Sequence, residues 1–440
     1  MSFYSEELPY RADPASYFAA VADLPCAAWL DSGGMQHFDI ITAAPVKILT
    51  QQAGAEDDVP ALRAALGPAL PAIPDIPFAG GLLGYWSYDW SLALHGLTSS
   101  QSGAALPEVQ LGLYDWALVL DHSAARARLV SHRRFRETPP LLSLLSARFR
   151  APAVLSPPDF SIAGDIDFNF TPATYQRAFA QVKRYLHDGD CYQINLAQRF
   201  AARAEGHALA AYLALRKLSP VPYAAFLDFP GIQVLSASPE QFMRVENAQV
   251  ATRPIKGTRP RGVDPEMDRA LARDLATHPK DRAENLMIVD LLRNDLGKHC
   301  VPGTVNVPEL FRVESYASVH HLVSTVTGLL LPGHHALELL RDSFPGGSIT
   351  GAPKRRAMEI IDQLEPHRRG LYCGSIGYVG FDGNMDTNIA IRTLTYSDGQ
   401  IQGWAGGGIV ADSEWQAEYQ ETLDKAAPLL KVLRDFGATG

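Results

Sequence analysis

Gly374-Ser-Ile-Gly-Tyr-Val-Gly-Phe381, Thr387-Asn-Ile-Ala-Ile-Arg-Thr-Leu-Thr-Tyr396 and Ile401-Gln-Gly-Trp-Ala-Gly-Gly-Gly-Ile-Val410 are three strand-like runs with only turn residues between them. Each is rich in β-branched and aromatic residues, and no helix-length pattern separates one from the next. Successive strands without crossover helices make antiparallel sheet, so this stretch argues against a doubly wound parallel fold. The same texture recurs upstream, in Cys191 to Ala201, Ala224 to Leu227, Val234 to Ser236, Gln249 to Ile255 and Val319 to Leu330.

Helical patterns lie between these clusters rather than alternating with single strands. Thr171 to His187 opens with a threonine N-cap and Pro172 at the first helical position. Further helices are expected at Asp264 to Thr277, Lys280 to Asp295, His335 to Asp342, Pro353 to Leu364 and Glu414 to Phe436, with Pro428 kinking or ending the last one. The pattern as a whole predicts an α+β fold with large, mainly antiparallel sheets. The proline-bearing stretch Ala151 to Pro158 reads as a linker, which divides the chain into an N-terminal region, 1–154, and a motif-bearing region, 155–440. In the former, Phe78 to Trp86 reads as a glycine-punctuated strand.

Bulk properties narrow the classes of function. The 440 residues are 47% hydrophobic and 20% charged, and no apolar run reaches the length of a membrane span. A net charge of −9 disfavours a nucleic-acid surface and favours a small ligand. Cys26, Cys191, Cys300 and Cys373 are too scattered for a disulfide framework or a zinc site. The N-terminal MSFYSEELPYRADP lacks the basic and apolar regions of a signal peptide, so a cytoplasmic location is expected.

Several residues have the character of chemistry. In the helix His278 to Asp295, Glu284 shares a face with Met287, Ile288 and Leu291, which points its carboxylate toward the interior. An ion pair with Lys280 or Arg282 and a metal site are both open readings. In the last helix, Ser413-x-x-Gln416 reads as a capping box, and Glu418, Glu421 and Lys425 follow on one face. If the two helices converge, Glu284, Glu418 and Glu421 supply the few hard oxygens that Mg²⁺ prefers; otherwise they are a solvated face with an internal ion pair.

Thr252-Arg-Pro-Ile-Lys-Gly-Thr-Arg-Pro-Arg-Gly262 sets Lys256 before a glycine and among three arginines. Burial and neighbouring cations would lower its pKa toward that of a nucleophile, while the alternative is a basic patch that holds an anion. Phe344-Pro-Gly-Gly-Ser-Ile-Thr-Gly-Ala-Pro-Lys354 leads into a helix with exposed backbone N–H groups suited to a carboxylate or phosphate, and it is not a P-loop. Ala405-Gly-Gly-Gly408 lets backbone approach a flat ligand or forms a tight turn.

These segments together resemble the chorismate-utilising enzyme family over roughly residues 165 to 437. The blocks that carry the resemblance are Cys191 to Phe200, Ser236-Ala-Ser-Pro-Glu240, the Lys256 segment, the Glu284 helix, Val319-His-His-Leu-Val-Ser324, the Gly346 loop, Asn388-Ile-Ala-Ile-Arg392 and Ala405 to Lys425. The resemblance implies two antiparallel sheets facing one another with helices outside, an active site between them, and an N-terminal region partly interleaved with the core. It implies Mg²⁺ on Glu284 and Glu421, with Glu418 nearby, holding the ring carboxylate of chorismate. Arg392 and Tyr378 would clamp the enolpyruvyl carboxylate. Lys425, Thr350 and the backbone of Gly406 and Gly407 would help bind the substrate.

Two positions bear on the branch of the family. Pro254-Ile-Lys-Gly-Thr258 looks like the version found in members that aminate chorismate at ring carbon 4, where lysine replaces the alanine of anthranilate synthases. Gln193 stands where the water-adding members carry a lysine. The resemblance therefore implies that Lys256 attacks ring carbon 2 while Glu240 protonates the departing hydroxyl, ammonia then displacing the lysine, with His321 bordering the ring. No cysteine lies in a glutaminase setting, so ammonia is expected from a separate glutamine amidotransferase subunit. Leu30-Asp-Ser32 falls where relatives often carry a tryptophan-binding segment, but it departs from their pattern and leaves tryptophan binding open. The competing readings are anthranilate synthase component I and a chorismate-binding regulatory protein without catalysis.

Overall fold

The computed structural model describes residues 3–35, 37–54, 58–151, 153–316 and 319–437. Two sheets of twelve and ten strands dominate it, and every pairing between their strands is antiparallel. The centre of the larger sheet runs Tyr223–Phe229, Ile232–Ser238, Thr393–Ser397, Gln400–Ile409 and Gln193–Gly206. The smaller sheet runs from Ile255–Pro260 through Val319–Leu329, Gln249–Thr252, Gln241–Glu246, Met385–Asn388, Ser375–Gly380, Gly81–Trp86 and Val109–Tyr114 to Lys47–Gln51.

The sheets pack face to face. Ala28, Val119, Ala225 and Val234 of the larger share one apolar cluster with Leu83, Tyr85 and Ile376 of the smaller. Helices cover the outer faces: Leu209–Leu218 and Trp415–Asp435 lie against the larger sheet, and Pro279–Gly297 and Ala336–Ser343 against the smaller. Burial on both sides explains why strands such as Gly81–Trp86 are apolar without alternation. Strands from before residue 155 belong to both sheets, Ala28–Asp31 pairing with Tyr223–Phe229 and Gly81–Trp86 with Ser375–Gly380. All four cysteines are buried free thiols. Among the described residues no helix is long and apolar enough to cross a membrane.

Three local expectations are corrected. The run Thr387 to Tyr396 is not one strand: Met385–Asn388 belongs to the smaller sheet and Thr393–Ser397 to the larger, and the four residues between cross from one to the other. Helix Trp415–Asp435 does not end at Pro428 but continues beyond it to Asp435. A proline inside a helix costs ~3 kcal/mol, and burial of Leu429, Leu430, Val432 and Leu433 around it outweighs that cost. Ser413 does not cap this helix, because its hydroxyl donates to Glu418 Oε1 at 2.6 Å. Thr171 and Asp264, by contrast, cap their helices through their side chains.

Candidate active site

A cavity of about 520 Å³ opens between the two sheets, and most of the residues singled out above line it. Lys256 arrives there through a defect in its strand. Ile255 pairs with Val323 and Thr258 with His321, so three steps on one strand face two on the other. This is a β-bulge at Lys256-Gly257, with Gly257 at φ +85°, and a bulge re-aims the side chain it carries. The Lys256 ammonium donates to the carbonyl of Ser348 at 3.1 Å. Burial lowers its pKa, opposed by the carboxylates of Glu284 and Glu240, while Lys425 lowers it further.

Glu240 follows the strand Ile232–Ser238 and is 6% exposed. Its Oε1 accepts from the Ser348 hydroxyl at 3.0 Å, so Ser348 joins the two groups, its hydroxyl to the acid and its carbonyl to the amine. Burial raises the Glu240 pKa against the pull of Lys256 and of that hydrogen bond. The pair thus has a carboxyl shifted toward its proton-carrying form and an amine shifted toward its neutral one.

Carboxylates of two helices border the same cavity. Glu284 is held by Pro279–Gly297 with Lys280 Nζ at 3.9 Å, and burial raises its pKa against Lys256 and Lys280. From the C-terminal helix come Glu418, raised by burial, and Glu421, whose Oε1 lies 2.6 Å from Lys425 Nζ. Gly407 makes room for both: a Cβ there would lie 2.9 Å from Glu418 Oε2 and 3.3 Å from Glu421 Oε1. Among the described residues no group of three or more ligating side chains forms a ready-made metal cluster. The donor set fits a hard cation that takes a few carboxylates and completes its shell from water and substrate, with lysines now supplying the counter-charge.

On the strand paired with that of Lys256, His321 Nδ1 is 2.9 Å from Thr258 Oγ1, and burial, with the charge of Arg392 adding to it, pushes its pKa down to about 4. It is a neutral hydrogen-bonding group near pH 7. Arg392 ends the sheet-to-sheet crossing at φ +50°, lines the cavity, and among the described residues makes no ion pair with a protein carboxylate. A guanidinium so placed is suited to a ligand carboxylate.

Other residues fall elsewhere. Tyr378 lines a separate cavity of about 540 Å³, walled also by Leu30, Ser32 and Asp386, and its ring packs on Phe78. The tyrosine that lines the same cavity as Arg392 is instead Tyr372, which stacks on Trp404 at 6.2 Å. Thr350 is fully buried behind the wall, its hydroxyl turned to the carbonyl of Gly346 at 2.9 Å. Gly406 and Gly408 line the cavity, while Gly407 faces the helix; Lys425 Nζ donates to the Gly406 carbonyl at 3.0 Å. Ser348, Tyr372, Trp404 and Asn195 also line the cavity, without a catalytic motif to mark them in the sequence. For Ser348 a signal does exist, since it sits in the glycine loop Phe344 to Lys354. The Leu30 to Ser32 segment forms part of the second cavity's wall, with the Asp31 carboxylate taken up by Arg216 and by the Tyr212 hydroxyl at 3.0 Å.

A family model described as chorismate binding enzyme matches residues 25–431. The chain is 47% identical to aminodeoxychorismate synthase component 1 of Salmonella typhimurium, over 97% of this chain and 98% of the relative. It is likewise 47% identical to the protein of that name from Escherichia coli, over 97% of each. Among solved structures it is similar to anthranilate synthase component I from Streptococcus pneumoniae, with a TM-score of 0.79 and 32% identity over 89% of this chain and 91% of that one.

Proposed function

The chain belongs to the chorismate-binding enzyme family, and from that premise we propose that it aminates chorismate at ring carbon 4 to give 4-amino-4-deoxychorismate, on the route to para-aminobenzoate and folate. The observation that carries this reading is the bulged Lys256, joined through Ser348 to the buried acid Glu240 in the wall of the intersheet cavity. Relatives that share the chain's whole length at 47% identity are named as the aminating enzyme, whereas the anthranilate-forming structure is 32% identical.

Arg392 and Tyr372 hold the enolpyruvyl carboxylate, the guanidinium in an ion pair and the ring at its side. Lys425 and the Gly406 backbone border the ring carboxylate. Glu284, Glu418 and Glu421 would hold Mg²⁺, which when bound fixes and polarises that carboxylate. The neutral Lys256 amine forms a bond to ring carbon 2, the two conjugated ring double bonds each shift by one position, and the carbon 4 hydroxyl leaves as water with the proton of Glu240. Ammonia then bonds to carbon 4, both double bonds shift back, and the carbon 2–nitrogen bond breaks to release the Lys256 amine. The sum consumes one ammonia and yields one water, with no change of oxidation state. His321, uncharged, is available to donate or accept a hydrogen bond at the ring's edge without adding charge to it.

Ammonia is supplied by a separate glutamine amidotransferase chain, and the enzyme works in the cytoplasm. The deciding test is product identity. With purified protein, chorismate, Mg²⁺ and ammonium, chorismate is expected to disappear without equimolar pyruvate, and para-aminobenzoate to appear only when a lyase is added. Pyruvate and anthranilate released at the rate of chorismate loss would overturn the reading in favour of anthranilate formation.

A further inference from the structure

A small polar cavity of about 20 Å³ lies between the sheets on the far side of Trp404. Its walls include Asp89, Glu108, Arg368, Thr395 and Trp404, and the exposed Gly103 and Ala104 form its outer side. Besides Arg368 Nε, which pairs by charge with Asp89 Oδ2 at 3.1 Å but makes no hydrogen bond, four atoms on these walls have no hydrogen-bond partner in the protein: Asp89 Oδ1, Glu108 Oε2, Thr395 Oγ1 and the indole Nε1 of Trp404. Their residues are 7%, 4%, 3% and 4% exposed, so bulk water does not satisfy them. Unpaired buried polar groups are costly, and four around one small space imply an occupant.

Arg368 accounts for the remaining carboxylate oxygens. Its Nε lies 3.1 Å from Asp89 Oδ2 and its Nη2 2.9 Å from Glu108 Oε1, and the Gly370 N–H adds a bond to Asp89 Oδ2 at 3.2 Å. One cation thus faces two carboxylates. Burial pushes the Asp89 pKa up to about 7. The volume suits a single molecule of the size of water or ammonia.

Position supplies the second argument. Gln402, Trp404 and Gly406 alternate along the strand Gln400–Ile409 and therefore share one face. Gln402 lines the small cavity, Gly406 lines the substrate cavity, and Trp404 lines both. Trp404 is the residue common to the two linings, and Gln402 and Gly406 on either side of it are roughly 13 Å apart along the strand.

We propose that this cavity is a holding site for ammonia on its way to the substrate, with Asp89, Glu108 and Thr395 accepting its three hydrogens, the Trp404 indole donating to its lone pair, and Trp404 acting as the gate. The inference rests on the amination reading given above, and it names where the nucleophile waits. A bound water is the rival occupant.

Thr395→Val and Glu108→Gln test it. The first is isosteric and removes a hydroxyl that bonds to nothing in the protein, so folding should be untouched even if the second variant is weakened by the loss of charge beside Arg368. In steady-state amination of chorismate with ammonium chloride, each variant is expected to raise the KM for ammonium about tenfold while leaving the KM for chorismate and the kcat at saturating ammonium unchanged. In a second arm, with glutamine and the partner glutaminase, the glutamate formed per aminated product should rise above the wild-type ratio. A change in either arm alone supports the site and identifies which source of ammonia passes through it. An unchanged ammonium KM and an unchanged glutamate ratio in both variants would show that the cavity holds only structural water. A fall in kcat accompanied by a higher chorismate KM and a lower melting temperature would show a structural role and overturn the proposal. Failure of the wild-type protein to aminate chorismate at any ammonium concentration would instead overturn the amination reading, and the holding site with it.

Discussion

Replacing Gly257 with alanine tests whether the bulge is what makes Lys256 a reagent. Gly257 sits at φ +85°, where an L-residue pays ~1–2 kcal/mol. Its new Cβ would also lie 2.9 Å from Leu275 Cδ1 and 2.9 Å from Asp281 Cγ. Neither neighbour yields easily: Leu275 is fully buried, and Asp281 is bound by Arg259 at 2.9 Å and His278 at 3.1 Å. Overpacking of that kind adds ~1–3 kcal/mol, so the strand relieves a total of roughly 2–5 kcal/mol by shifting. The residue beside the strain is Lys256, and a displacement of about 1 Å at a reacting atom costs on the order of 100-fold in rate. Gly257→Ala should therefore lower kcat for ammonium-dependent amination about 100-fold while the folded protein persists with a melting temperature only a few degrees lower. Intact-protein mass spectrometry without ammonia, as a function of time, should show the Lys256 adduct forming more slowly by a similar factor. A variant destabilised by the expected amount that still forms adduct at the wild-type rate would refute the argument that the bulge positions the amine.

The other predictions follow from neighbouring groups. Arg392→Lys should raise the KM for chorismate ~10–100-fold, since an ammonium cannot reproduce a two-pronged carboxylate contact, whereas Tyr378→Phe should leave both kinetic constants within twofold because its ring lies in the other cavity. Glu284→Gln and Glu421→Gln should each weaken the apparent affinity for Mg²⁺ in a titration of turnover, and activity undiminished by excess chelator would count against the carboxylate set. His321, with its pKa pushed down to about 4, takes up protons more readily when unfolded, so its contribution to stability is intact above about pH 6.5 and is lost as pH falls toward 4. Between pH 7 and pH 5 this residue alone removes ~2 kcal/mol, and His321→Asn should flatten the difference between urea melts at those two pH values by about that amount; melts with the same pH dependence as the wild type would contradict it.

What could be read from the sequence was what local chemistry encodes. Helix Pro172–His187 announces itself by its N-cap and the proline at its first position, and Pro265–Thr277 and Pro279–Gly297 lie within two residues of the expected Asp264 to Thr277 and Lys280 to Asp295. Strands such as Val319–Leu329 are marked by composition. Long-range decisions were not legible. Nothing local in Thr387 to Tyr396 says that the chain leaves one sheet at Asn388 and joins the other at Thr393, because both halves are equally β-prone and buried on both faces. Ser413 followed by Gln416 is a capping pattern, but the neighbouring Glu418 carboxylate competes for the same hydroxyl and takes it. Tyr372 and Tyr378 flank a single turn and strand, and only the three-dimensional placement of that turn decides which one meets Arg392.

The crossing at Ile389 to Arg392 also explains why the cavity requires both sheets at once. Ile389 donates its N–H to the carbonyl of Glu240 at 3.0 Å, and Arg392 accepts from the N–H of Ala237 at 3.0 Å, so the crossing is stitched to the segment that presents the acid. Cys373 N–H bonds the carbonyl of Ala390 at 2.9 Å, which ties the Tyr372 turn to the same four residues. Arg369, fully buried, then fixes that turn from below: it pairs with Glu365 at 2.6 Å, donates to the carbonyls of Ile349 and Asn195 at 3.0 Å and 2.8 Å, and lies 5.5 Å from the Tyr372 ring. The substrate-facing loop around Ser348, the acid, the arginine and the tyrosine are therefore connected through backbone hydrogen bonds and one buried ion pair rather than through flexible side chains. Such a frame pre-organises the site, and the strain of a non-glycine residue at φ +50° in Arg392 is sustained because neighbours on both sheets over-determine its position.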